Sequence, residues 1–119
     1  MSKVENLCRV RDLYRAIAEF ESSFEKQYGL CLNEGMLLCS LSKTKKLTSG
    51  ELADLLGLTA SNTSKVIKSV EEKSLIERNL GVEDKRKMHF SLTSKGEKCL
   101  SQIKCGEIEF PPILESMLS

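Results

Sequence analysis

The sequence predicts a mainly α-helical fold with one small β-hairpin, and three observations carry that expectation. Two capped helical segments between Thr48 and Lys73 are separated only by Gly57 and Leu58. Directly after them, apolar residues alternate on both sides of a charged loop that contains Gly81. Before them, the stretch from about Val4 to Tyr28 has neither Gly nor Pro and keeps a helical apolar rhythm. This order is the plan of a winged helix-turn-helix, about residues 33–93, with helices at about 4–28 and 94–119 flanking it in a single domain.

The first helix of the pair opens at Thr48 with Glu51 three residues on. That is a capping box, in which each side chain satisfies a backbone N–H that the first helical turn leaves without a partner. Leu52, Ala53, Leu55 and Leu56 supply an apolar face. Gly57 stands where a helix end needs a residue tolerant of positive φ, and Thr59 can cap the next helix. A link this short forces the two helices to cross.

The second helix, about Ala60 to Lys73, sorts its residues by angle. Thr63, Val66, Ile67 and Val70 fall on one side and can bury against the first helix. Ser61, Ser64, Lys65 and Lys68 fall on the other, with Asn62 and Ser69 on its flank, and the carboxylates of Glu71 and Glu72 come only in the final turns. Hydroxyls and amides can read base edges in a major groove, and lysines meet phosphates or guanine. In an isolated helix such a face would be solvated surface, so the neighbouring elements decide.

Those neighbours form a hairpin signature: Leu75, Ile76, Arg78 and Leu80 lead in, and Met88, Phe90 and Leu92 alternate on the way out. The loop between them carries Lys85, Arg86 and Lys87 just after Glu83 and Asp84. Arg86 is the candidate for a minor groove, where a planar guanidinium meets concentrated negative potential. Alone, this loop would be solubilising surface. Beside an outward basic helix it becomes a second DNA contact.

From Leu47 to about Leu100 the text is similar to the MarR (multiple-antibiotic-resistance regulator) family of bacterial winged-helix transcription factors. The matching pieces are Leu52-Ala53-Asp54-Leu55-Leu56, the run from Thr63 to Glu71, Leu75-Ile76-Glu77-Arg78, Asp84-Lys85-Arg86 and Leu92-Thr93-Ser94-Lys95-Gly96. The Asp-x-Arg followed by Leu-Thr and a Gly-containing helix start is the specific part. The resemblance implies that Ser61, Asn62, Ser64, Lys65 and Lys68 lie on a recognition helix, and that Arg86 enters the minor groove braced by Asp84. It also implies a repressor that binds double-stranded DNA as a homodimer on a pseudo-palindromic operator. Such proteins release DNA when a small, often aromatic or anionic, effector binds.

The N-terminal helix shows the stripe Leu7, Val10, Tyr14, Ile17, Phe24 and Tyr28, interrupted by Glu21 and widened by Leu13 and Phe20. This is more apolar surface than one small domain consumes, so a partner helix is expected. A second helix is expected to start after Leu32 with Asn33 as its cap and to run through Met36, Leu37, Leu38 and Leu41. Lys43, Lys45 and Lys46 follow it, either as a solvated loop or at the edge of a DNA footprint. After Thr93 a helix through Cys99, Leu100 and Ile103 is stopped by Gly106 and Pro111-Pro112. With the tail residues Phe110 and Leu114, Leu100 and Ile103 are expected to join the dimer helices. The tail is shorter than the dimerisation helices usual in the family.

Composition is consistent with this reading. At 119 residues, with 40% hydrophobic and 29% charged residues, the chain is ordinary globular material. A net charge of +1 argues against coating nucleic acid by bulk electrostatics. Charge is nonetheless sorted: Lys85, Arg86, Lys87, Lys95 and Lys98 face only Glu97 within their segment, whereas the tail from Cys105 carries Glu107, Glu109 and Glu115. With no membrane-length apolar run and no signal-peptide pattern, a cytoplasmic chain is expected.

Five cysteines, Cys8, Cys31, Cys39, Cys99 and Cys105, are an odd number and fit reduced thiols, expected to pack as small hydrophobes. A thiol-based redox sensor using Cys8 is the alternative, with Arg9, Arg11 and Arg15 nearby to favour a thiolate. Relatives of that kind pair such a cysteine with tyrosines, whereas Asp12 and Ser22 stand at those positions. No C-x-x-C motif occurs and His89 is the lone histidine, so neither a metal site nor a cofactor is expected. There is no phosphate loop and no nucleophile matched to a base, so no enzyme is expected. Winged helices also act as protein-interaction modules, a rival that would need apolar anchors where Ser61, Ser64, Lys65 and Lys68 stand.

Overall fold

The computed structural model describes residues 2–81, 87–105 and 108–118. In chain order the elements are α1 (Lys3–Tyr28), α2 (Leu32–Lys43), β1 (Leu47–Thr48), α3 (Ser49–Leu56), α4 (Ala60–Glu72), β2 (Ile76–Leu80), β3 (Met88–Leu92), α5 (Ser94–Cys105) and α6 (Pro112–Glu115). They group into two units, residues 1–31 with 107–119, and residues 32–106.

In the first unit, α1 is closed at both ends by local chemistry. Ser2 and Glu5 form a capping box, and Gly29 takes φ 69° at the other end, where its N–H bonds to the Glu25 carbonyl. Aromatic residues one turn apart meet along the helix: the Phe20 and Phe24 rings are 6.0 Å apart, and those of Phe24 and Tyr28 5.0 Å. Phe110 stacks on Phe20 with centroids 4.9 Å apart, which brings the tail and α6 back onto α1. Pro112 opens α6 at a first-turn position, where its missing N–H leaves no bond unmade. The N-terminal part of the stripe stays open: Leu7 is 70% and Tyr14 73% exposed, with Val10 and Ile17 also exposed.

The second unit is the winged helix-turn-helix. Leu37 and Leu38 of α2, Leu52 of α3 and Val70 of α4 are fully buried at its centre, with Leu41, Ile67, Ile76 and Phe90 around them. The α3–α4 turn is made as its sequence requires: a capping box at Thr48 and Glu51, Gly57 at φ 67°, then Thr59 accepting from the Asn62 N–H. The sheet has the order β1-β3-β2, antiparallel throughout.

Several expectations need correction. A third strand, β1, pairs Leu47 with Phe90 and Thr48 with His89. Two residues are too short to show alternation, so only the buried partner on β3 reveals it. Helix α2 begins at Leu32, two residues before the start that an Asn33 cap implies, which puts Asn33 inside its first turn. Leu55 is 61% exposed and does not join the apolar face of α3. Helix α5 belongs to the winged unit, and Leu100 is 6% exposed there. Ile103 is half-buried on the same helix.

One junction joins α4, β2 and α5. Ser74 turns the chain at φ 62°. Thr93 donates its hydroxyl to the Ser74 carbonyl at 2.6 Å and accepts from the Gly96 N–H at 3.0 Å. A methyl group at Gly96 would run into the Leu75 carbonyl oxygen, so only glycine allows α5 this close.

Candidate nucleic-acid interface

Helix α4 presents the outward face that its spacing predicts. Thr63, Ile67 and Val70 are buried, and the Thr63 hydroxyl is satisfied by the Thr59 carbonyl at 2.8 Å. Ser61, Asn62, Ser64, Lys65 and Lys68 are exposed, and the first turn holds no acidic side chain. The positive end of the helix and two ammonium groups therefore share one solvent-facing surface.

Ser69 is not part of that surface. It is half-buried, and its hydroxyl donates to Glu34 Oε2 at 2.8 Å. The same carboxylate receives the Lys73 ammonium at 2.9 and 2.7 Å. On the other side of the helix, Glu71 holds Arg78 of β2 through both oxygens, at 2.7 and 2.9 Å, and the Arg78 guanidinium lies 5.5 Å from the Phe90 ring centroid. The carboxylate raises the pKa of Arg78 further. Glu34 and Arg78 were not expected to matter. Glu34, flanked by Asn33 and Gly35, carries no local sign of its role, and Arg78 read simply as one position in a strand.

The hairpin is closed at its neck by the Gly81 N–H bonding to the Lys87 carbonyl at 2.8 Å, and Lys87 is exposed. Asp84, Lys85 and Arg86 lie outside the described residues. Across β2 and β3, the Asn79 amide donates to the Ser91 hydroxyl at 2.7 Å, which stiffens the base of the wing. Near this base, Glu51 is held below its ordinary carboxyl pKa, mainly by its bonds to Thr48 and secondarily by His89 and Lys87. Lys43 at the end of α2 and Lys45 and Lys46 just beyond it are all exposed.

The thiols depart from expectation. Among the described side chains, Cys8, Cys31 and Cys39 are exposed and Cys99 is half-buried, where desolvation pushes its pKa up despite Lys73 and Lys95 nearby. Among the described residues, no cluster of His, Cys, Asp and Glu could hold a metal ion, and no helix is long and apolar enough to cross a membrane.

Residues 30–88, about half the chain, match the family model described as the MarR family. An uncharacterized HTH-type transcriptional regulator of Bacillus subtilis, YwaE, is 24% identical over 104 residues, which cover 84% of this chain. The chain spans 61% of that protein's length. Among solved structures, the transcriptional regulator BldR from Sulfolobus solfataricus superimposes with a TM-score of 0.76 at 21% identity, over 99% of this chain and 83% of BldR. The S. aureus MepR–DNA complex gives 0.65 at 22% identity, over 91% of this chain and 83% of MepR. The match covers α2, β1, α3, α4 and β2 and reaches the first residue of β3, and the chain belongs to the MarR family of winged-helix transcriptional regulators.

Proposed function

We propose that the chain is a sequence-specific DNA-binding repressor that acts as a homodimer on a pseudo-palindromic operator. The observation that carries this reading is the face of α4, where Ser61, Asn62, Ser64, Lys65 and Lys68 are all exposed without a carboxylate in the first turn. Two such helices, one per protomer, enter successive major grooves about 34 to 36 Å apart. Lys85, Arg86 and Lys87 of each wing meet the flanking minor groove, with Asp84 bracing Arg86. The dimer is built through the open apolar stripe Leu7, Val10, Tyr14 and Ile17, with Ile103, Phe110 and Leu114 contributing. Occupancy near a promoter blocks polymerase. Release follows binding of a small effector, for which the winged unit offers a cavity of about 660 Å³ lined by Leu41, Leu92, Leu100, Lys45, Lys46 and Glu97.

Selection of duplexes from a random pool tests the proposal. An enriched inverted repeat with centres one helical turn apart is expected. Arg86→Ala should weaken every enriched duplex and reduce the salt slope by about one phosphate equivalent. Failure to enrich any duplex, or equal effects of Arg86→Ala and Glu107→Ala, would overturn it.

A further inference from the structure

The winged unit contains a buried carboxylate that the DNA-facing surface does not use. Glu34 is 4% exposed, and a carboxylate taken from water is costly unless it is paired and hydrogen-bonded. Its partners are Ser69 on α4 and Lys73, which caps the C-terminal end of α4 one turn further on. At about 100° per residue they share one flank of that helix, about a quarter turn from the Ser61, Lys65 and Lys68 face. Glu71 stands on the opposite flank and is tied to Arg78 of β2.

The buried Thr63, Ile67 and Val70 press α4 onto the core, but apolar contact has no direction and tolerates rotation. Hydrogen-bonded ion pairs on both flanks do not. A roll of about 10° at a side-chain radius of about 6 Å moves the tips of the outward residues by about 1 Å. That distance breaks a hydrogen bond to a base edge but barely changes the attraction between an ammonium group and a phosphate.

We propose that Glu34 is a positioning residue for base reading: by holding Ser69 and Lys73 from α2, it sets the roll of α4 and thereby which base edges Ser61, Asn62 and Ser64 reach. This inference rests on the DNA-binding reading above. It concerns specificity, whereas phosphate contacts set overall affinity.

The test uses the full chain and a duplex enriched by it, beside a shuffled duplex of the same composition. Fluorescence anisotropy gives both affinities across a salt series, and circular dichroism gives the folded fraction. Glu34→Gln keeps the shape and removes the charge, Lys73→Met removes the partner, and the double variant E34K/K73E restores an opposite pair. Each single change should lower the ratio of enriched to shuffled affinity by about tenfold, within the range of a lost base contact. The shuffled affinity and salt slope should stay unchanged, and the double variant should recover much of the ratio. An unchanged ratio in folded variants would overturn the proposal, as would both affinities falling together with the folded fraction. If Glu34→Gln fails to fold, Lys73→Met decides alone, and a reduced salt slope there would assign Lys73 to phosphate and overturn the proposal. If the unmodified chain enriches no duplex, the DNA-binding reading fails first and the inference falls with it.

Discussion

At Gly96 the winged unit depends on an absent side chain. An exposed helical glycine normally gains stability from replacement by alanine, by about 1 kcal/mol. Here the added methyl meets the Leu75 carbonyl, so Gly96→Ala should instead destabilise by about 1–3 kcal/mol, read from chemical denaturation. A stabilising outcome would contradict the packing of α5 on the α4–β2 junction. Glu51 offers a second test, through pH. Its folded pKa lies below the ordinary 4.5, so the carboxylate stabilises the fold fully above that value and ceases to as pH falls through the lowered one. The Tm difference between the unmodified chain and Glu51→Gln should therefore shrink in acid below about pH 4.5. Both residues were visible in the sequence as motif letters. The capping box could be read directly because its chemistry spans one turn. The need for glycine at position 96 could not, because its neighbour is twenty-one positions away along the chain.

For helix α4 as an element, the division of labour between side chains is open to measurement. Lys65→Ala should weaken enriched and shuffled duplexes alike and flatten the salt slope by about one unit, whereas Ser64→Ala should act only on the enriched duplex. Gel-shift titrations at several salt concentrations separate the two, and interchangeable effects would remove the assignment of roles. Periodicity marked the buried and outward faces of α4 correctly because both follow from helix geometry. It misassigned the flank at Ser69, whose hydroxyl is taken by a carboxylate on α2, an element that no local pattern ties to it. Strand β1 was missed for a related reason, since its identity lies in its partners Phe90 and His89.

Across the whole molecule, the stripe on α1 makes the strongest demand. Leu7 and Tyr14 expose about seven-tenths of their surface, an apolar area that a second copy would cover. The double variant L7E/Y14E should sediment as a monomer with helix content preserved, and should lose binding to a full inverted repeat far more than to a half-site. A variant that remains dimeric would place the interface elsewhere. Helix α5, which the sequence expects among the dimer helices, packs on α2 and β3 within the winged unit, where Leu100 is buried.

By itself the sequence determined the caps at Thr48 and Thr59, the Gly57 turn, the two faces of α4 and the hairpin strands, because each rests on interactions within a few residues or on a fixed backbone period. Only the tertiary structure decided that Glu34 and Arg78 hold α4 from its two flanks, that Gly96 must remain bare, and that α5 serves the winged unit. Those features are contacts between elements, and burial, directed hydrogen bonds and close backbone approach arise only once the elements have packed.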